Sequence, residues 1–314
     1  MKKLVVALLF VPCLALAQAY PSKSVRLIVP FPPGGTTDLI ARVVQAKFQE
    51  FLGQNVIIEN KAGAGGAVGA AEAAQSAPDG YTLLLVFDTH AVNHHVYKMA
   101  PDPFRALEHI MLMVTSPSTL VAVTDFAPST LRDLVAHARA QPGRVTYATA
   151  GAASSNHLGA MLLEQQAGIS MTHVHYKGGG PMIQALLGQQ VNIAFISTPL
   201  ILPHIKSGKV KAIAAGGKSR MAVLPEVPTL GETYPGFEQV SWFGILGPAG
   251  LPKEISMRVH REMGRTLAVP EVRERLSERG FDVAASSPEE FLRFVRAESD
   301  KLGRLIRESK IQPE

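Results

Sequence analysis

Apolar residues along this chain come in short runs separated by stretches of helical period, and the alternation repeats. "VRLIV" (25–29) reads as a buried strand, followed by "PFPPGG", a knot of three prolines and two glycines. From Thr37 to Leu52 the positions Leu39, Ile40, Val43, Val44, Phe48, Phe51 and Leu52 recur at helical spacing, and Gly53 stands where a left-handed cap would end the helix. "NVIIE" and "YTLLLVF" read as further strands, with a small-residue helix, "GGAVGAAEAAQSA", between them. Strand–helix–strand–helix–strand predicts a parallel sheet with right-handed crossovers.

After a proline-spaced passage (101–130) the alternation restarts. Ser129 or Thr130 is placed to cap "LRDLVAHARA". Strand "RVTYATA", a helix from about His157 to Gln166, strand "THVHY", turn "KGGGP", helix "MIQALLG", strand "VNIAFI", helix "PLILPHIKSG" and strand "KVKAIAA" complete a second unit. The last third reads as helical. Ser287, Pro288 and Glu290 form a capping box for a helix running to about Ser309, which presents Phe291, Val295, Leu302, Leu305 and Ile306. Two tandem α/β units predict two lobes. The final helix needs a lobe to pack on, and the first is the candidate, so the chain would cross between lobes near residues 120 and 230. The expected division is 20–121 with 229–314 for lobe 1 and 122–228 for lobe 2.

Residues 1–19 stand apart. Lys2 and Lys3, an apolar stretch from Leu4 to Leu16, then Ala17-Gln18-Ala19 have the order of a secretory leader, too short to span a bilayer and cleaved after Ala19. The expected location is the periplasm. Cys13, the only cysteine, lies inside that leader, so the mature chain is expected to have neither disulfide nor thiolate chemistry. The formal net charge of +5 falls to +3 once the two lysines leave. The remaining basic residues are scattered, which argues against nucleic acid.

In an open α/β sheet, ligands sit beyond the carboxyl ends of strands, where helix N-termini point free N–H groups. Three loops meet that description: "PFPPGGTTD" (30–38), "TAGAASSNH" (149–157) and "KGGGP" (177–181). Small residues let the backbone approach a ligand, and hydroxyls with uncapped N–H groups receive an anion without a full positive charge. The first loop, lacking lysine, is not a phosphate loop, and "GAGGAVG" (63–69) has the wrong spacing and place for a dinucleotide fingerprint. Ser154 or Ser155 with His157 and Asp38 is an imaginable hydrolytic set, but no G-x-S-x-G elbow surrounds either serine. His90, His94, His95, His173 and His175 lack a carboxylate or cysteine at ligand spacing, so no metal and no cofactor are expected. A protein-binding adaptor with a vestigial cleft is the other alternative.

The ordered motifs "VRLIVPFPPGGTTDLIAR", "QNVIIENKAGAGGAVGA", "APDGYTLLL", "HVHYKGGGP", "LPHIKSGKVKAIA" and "SWFGILGPAGLP" resemble the Bug or TctC-type extracytoplasmic solute-binding proteins of tripartite tricarboxylate transport systems, over essentially the whole mature chain. The resemblance implies a type II periplasmic binding protein fold: two α/β lobes, a hinge of two crossovers and a ligand cleft between them. It implies no enzyme activity, a small carboxylate as ligand, transient contact with a membrane transporter or sensor, and a monomer. It places the ligand carboxylate between Phe31–Asp38 and Gly151–His157. Thr36, Thr37 and Ser154 would be donors and Phe31 an apolar wall; Gly35, Ala153 and Ser155 fall within the same loops. Asp38 and His157 would orient the loops, and His90, Gly178 and Gly179 would line the far end. Family members often have Asn-Gly where this chain has Ala152-Ala153, proline where it has His175, and aspartate near Ser197. An uncharged Ser197 argues against an amino acid and for a di- or tricarboxylate or an aromatic carboxylate.

Overall fold

The computed structural model describes residues 20–98, 101–151 and 154–309; the leader and two residues of the second loop, Ala152 and Ala153, lie outside. Strands β1 (Val25–Val29), β2 (Val56–Asn60) and β3 (Thr82–Phe87) run parallel, linked by α1 (Thr36–Leu52) and α2 (Ala67–Ala74). α1 buries Ile40, Val43, Val44, Phe48 and Leu52 on one face and ends at Gly53, whose φ of 80° a residue with a Cβ adopts only at a cost. α3 (Asn93–Val96) follows β3.

The passage 101–130, expected to be a proline-spaced connection, holds the long strand β4 (Leu107–Val123). Beyond α4 (Leu131–Ala140) come β5 (Thr146–Thr149), α5 (Ser155–Ala167), β6 (Thr172–His175), α6 (Gly179–Leu187), β7 (Ile193–Ser197), α7 (Thr198–Lys206) and β8 (Val210–Ala215). β5 is parallel to both β6 and β7. The last third is not purely helical either. After α8 (Leu230–Thr233) runs β9 (Val240–Pro248), then α9 (Lys253–Ala268), α10 (Pro270–Ser277), β10 (Asp282–Val283) and α11 (Pro288–Ser309). The predicted capping box is present: Ser287 Oγ accepts from Glu290 N–H, and the Glu290 carboxylate accepts from Ser287 N–H.

β4 and β9 organise the sheet, whose order is β2-β1-β3-β9-β4-β7-β5-β6. β9 lies antiparallel between β3 and β4. β4 pairs with β9 from Leu107 to Pro117, then with β7 and β8 from Ser118 to Val123. Pro117 stands where pairing changes. A proline has no N–H to give a ladder, and there the next donor, Ser118 N–H, reaches Gln239 O at 3.2 Å. The proline that disguised the strand marks its change of partner.

Both half-sheets are covered on both faces, which explains runs such as "TLLLVF" with no polar alternation. In the first half, Leu27, Leu85 and Phe243 pack with α1 and α9, while Ile28, Leu84 and Trp242 pack with α2 and α11. In the second, Leu120, Tyr147 and Phe195 face α4 and α5, and Val121, Ala148 and Ile196 face α6 and α7.

Candidate functional site

At the end of β1 the chain turns through Pro30–Gly35 into α1. Gly34 sits at φ 80°, and Gly35, the N-cap, gives α1 no side-chain cap. The first-turn N–H groups of α1 are therefore left without a capping side chain. Asp38 braces this loop. Its carboxylate accepts from Gly34 N–H (3.0 Å), Arg42 Nε (2.8 Å) and Asn60 Nδ2 (3.1 Å), and the same amide of Asn60 donates to Phe31 O. Burial alone would raise the Asp38 pKa, but these donors and the Arg42 charge outweigh it and hold the carboxyl below its usual range.

The facing wall comes from the second half-sheet. The N-caps of α6 and α7 are Gly178 and Ser197, and neither supplies a side-chain bond. α5 differs: Ser154 Oγ accepts from His157 N–H at 3.3 Å and donates to Gly151 O at 2.8 Å. One residue into α5, Asn156 is 2% exposed and its Nδ2 has no partner; Ser197 Oγ is likewise buried without a partner. The two walls nearly touch. A Cβ on Gly178 would lie 3.3 Å from Pro32 Cδ, and one on Gly151 3.9 Å from Gly65 Cα.

Between the walls is a narrow gap of about 30 Å³. Gly35, Thr36, Thr37, Asn156, Gly179 and Ser197 supply its polar lining; Phe31, Phe87, Met182, Ile196 and Leu200 supply the apolar part, with Ala150 at the edge. No lysine, arginine or carboxylate is among them. Phe31 is held edge-on by Phe87 at 5.7 Å, and Phe87 packs at a tilt on Phe243 at 5.2 Å, so the apolar wall is anchored in the first core. Uncapped helix N-termini carry partial positive charge, and three of them, with two unpartnered side chains, converge here. Such a set stabilises an anion by hydrogen bonds in a place where water is largely excluded.

Comparison with known proteins gives this geometry a lineage. The sequence profile described as "Tripartite tricarboxylate transporter family receptor" matches residues 40–311. The chain belongs to that receptor family. Among solved structures, the periplasmic binding protein BugD is similar at TM-score 0.89 and 32% identity, covering 94% of this chain and 100% of that one. Rpa4515 of R. palustris with adipate gives 0.90 at 29% (94% and 100%), and MatC of Rhodopseudomonas palustris with bound malate gives 0.86 at 31% (91% and 100%). The receptor is thus a periplasmic solute-binding protein with the two-lobed type II fold.

The structure brings six of the expected residues of this receptor to the gap: Phe31, Gly35, Thr36, Thr37, Gly179 and Ser197. Asp38, Gly151, Ser154 and Gly178 shape its walls from behind. Ala153 lies outside the described residues. Ser155 faces away, its Oγ 3.4 Å from Ser241 Oγ. His157 stacks on His173 (centroids 3.8 Å apart, 18° between planes), and burial pushes its pKa down to about 4. His90 is buried beside His109, 6.0 Å away, and does not line the gap. With Asp38 held by Arg42 and Ser154 by Gly151, these bonds form no serine–histidine–aspartate relay. Asn156, Phe87 and Met182 escaped sequence reasoning. Asn156 sits one place past the serine pair in a loop already singled out, and its amide was the available signal.

Behind the gap, Asp88 of the first half-sheet accepts from Ser155 N–H of the second at 3.4 Å. It is 2% exposed, its Oδ2 has no partner, and burial raises its pKa from 3.8 to about 8. A raised acid favours the protonated folded state. Stability from this group is therefore greatest at low pH, falls as pH rises from about 4 to about 8, and is flat beyond. Asp88→Asn keeps the acceptor and removes the titration. The expected result is a melting-temperature difference, variant minus wild type, that grows from pH 5 to pH 8; a difference constant with pH would contradict the assignment.

Proposed function

We propose that this receptor captures a small carboxylate between its two lobes, through uncharged donors alone, and hands it to a membrane transporter or sensor. The observation that carries the reading is the convergence of three uncapped helix N-termini with Asn156 Nδ2 and Ser197 Oγ on a gap lined by no charged side chain. Thr36 and Thr37 on one side and Asn156, Ser197 and the α6 N-terminus on the other receive the carboxylate, and Phe31 and Phe87 cover its apolar body. With Asp38 bound to Arg42 and Asn60, and Asp88 turned to Ser155 N–H, the gap offers an ammonium no carboxylate. The ligand is a di- or tricarboxylate or an aromatic carboxylate rather than an amino acid. The adipate and malate of the two related structures support this class.

The lobes act as jaws. We place their division where strand pairing changes, at 117/118 and 239/240, close to the sequence estimate at 121/122 and beyond that at 228/229. A gap of about 30 Å³ is smaller than any such ligand, so entry requires the jaws to part. The mature protein, released by cleavage after Ala19, works as a monomer without a cofactor and is not an enzyme.

A thermal-shift panel tests the reading: malate, adipate, citrate and benzoate against glucose and lysine. A carboxylate at 100 times its dissociation constant stabilises by about 2.7 kcal/mol. If glucose or lysine raises the melting temperature and no carboxylate does, the proposal fails.

A further inference from the structure

A second cavity, of about 880 Å³, lies at the hinge and shares no lining residue with the gap. Its walls come from both lobes and both crossings: α5, the loop 217–223 after β8, residues 238–240 at the start of β9, the segment 277–282 and α11. That volume is within the range of small-molecule sites, which combine apolar walls with a few polar groups. The apolar walls are Leu158, Leu162, Met221, Phe281, Phe294 and Leu302.

Its charged rim is exposed (Lys218, Arg220, Glu238, Asp282 and Lys301), and two less exposed polar groups, Gln239 and Glu298, face the interior. Gln239 is 5% exposed, and neither its Oε1 nor its Nε2 has a hydrogen-bond partner among the described residues. Folded proteins rarely leave such an amide unpaired. It reaches the cavity over Gly159, where a Cβ would come within 2.6 Å of Gln239 Cγ. Glu298 shares the inner face of α11 with Phe294 and Leu302. Its side chain is 22% exposed, and its nearest cation, Lys301, is 4.0 Å away and 63% exposed. Burial raises its pKa by more than the Lys301 charge lowers it, and the Glu238 charge adds to the rise. Two of the rim cations are paired: Lys218 with Glu238, on the same rim, at 3.7 Å, and Arg220 with Glu232 at 2.8 Å.

The interior is thus apolar with one carboxylate, Glu298, and one amide, Gln239, whose Oε1 accepts and whose Nε2 donates. We infer that the hinge cavity is a second binding site, for a small organic ammonium with an apolar body. The ammonium meets Glu298 and the Gln239 carbonyl, and the body lies against Phe294, Phe281 and Leu162. A carboxylate is repelled by Glu298, so the two sites take opposite charges. This site stands independently of the carboxylate reading of the gap.

Trp242, the only tryptophan, reports on it, because its ring packs edge-on to Phe294 at 5.6 Å. The mature protein is titrated with phenethylamine hydrochloride at constant ionic strength while Trp242 emission is followed. A saturable change is expected below about 10 mM, and Glu298→Gln should weaken it by at least about tenfold while keeping the wild-type circular dichroism. Leu162→Lys, which sets a cation in the cavity from a half-buried position, should abolish it. Uncharged 2-phenylethanol should give no saturable change in Trp242 emission. The inference is overturned by a linear response to the amine, by an unchanged midpoint in Glu298→Gln, or by an equal response to 2-phenylethanol.

Discussion

The Asn156→Asp receptor is expected to lose its carboxylate ligand while remaining folded. Aspartate has nearly the shape of asparagine, so the gap keeps its form. What changes is the chemistry at one buried position: an amide donor with no other partner becomes a carboxylate. Losing a hydrogen bond to a charged group costs about 1.5–3 kcal/mol. Two carboxylates about 4 Å apart repel by about 4 kcal/mol at an effective dielectric of about 20. Together these predict a fall in affinity of at least about a thousandfold for whichever dicarboxylate the thermal panel selects, read by isothermal titration calorimetry. The unliganded variant should remain folded but melt somewhat earlier, because the helix dipole at the first turn of α5 offsets only part of the cost of burying the charge. Thr37→Ala, by contrast, removes one neutral hydroxyl and should cost about 1 kcal/mol. Binding by Asn156→Asp within about tenfold of wild type would remove Asn156 from the ligand's contacts.

Much of this fold is legible because period and punctuation agree. Leu39 to Leu52 has helical spacing and a glycine stop; "VRLIV" and "VNIAFI" are short apolar runs between turn signals; Ser287 and Glu290 form the capping box they spell. The two crossing strands were not legible. In β4, Pro117 imitates a break, and only the antiparallel partners on each side of it show that the strand continues. In β9, Gly244 and Gly247 lower strand propensity; the first makes room for Phe291 of α11, and the second for Leu251, four residues further on. The site divides the same way. Thr36, Thr37, Gly179 and Ser197 lie in loops or first turns whose composition announces them. Phe87, Met182 and Ile196 follow ordinary core patterns, and only the meeting of two half-sheets turns them toward the gap. His90 and His157 carry suggestive chemistry, yet neighbouring rings at His109 and His173 draw them into packing. No one-dimensional signal records that choice.

Gly244→Ala should be among the most destabilising single-methyl substitutions in the receptor. Gly244 pairs with Val86 on one side and Leu112 on the other, at the centre of the first half-sheet. A Cβ there would lie 2.1 Å from Phe291 Cζ, 2.7 Å from Cε1 and 3.0 Å from Met111 O. The ring has nowhere to go. Phe291 is fully buried, with Trp242 edge-on at 5.7 Å and His109 at 5.2 Å, so displacing it disturbs α11 along its contact with β4. Overpacking of this kind costs about 1–3 kcal/mol, and a clash with an immobile ring belongs at the upper end. In a protein of this size about 3 kcal/mol corresponds to a melting-temperature loss of roughly 6–12 °C by calorimetry. Phe291→Leu alone should also destabilise, through lost ring contacts. Combined with Gly244→Ala it should cost less than the sum of the two, because the new methyl occupies space the ring has left. Additive losses in the double variant, or a Gly244→Ala protein within about 0.5 kcal/mol of wild type, would mean that the strand and α11 separate more easily than their packing implies.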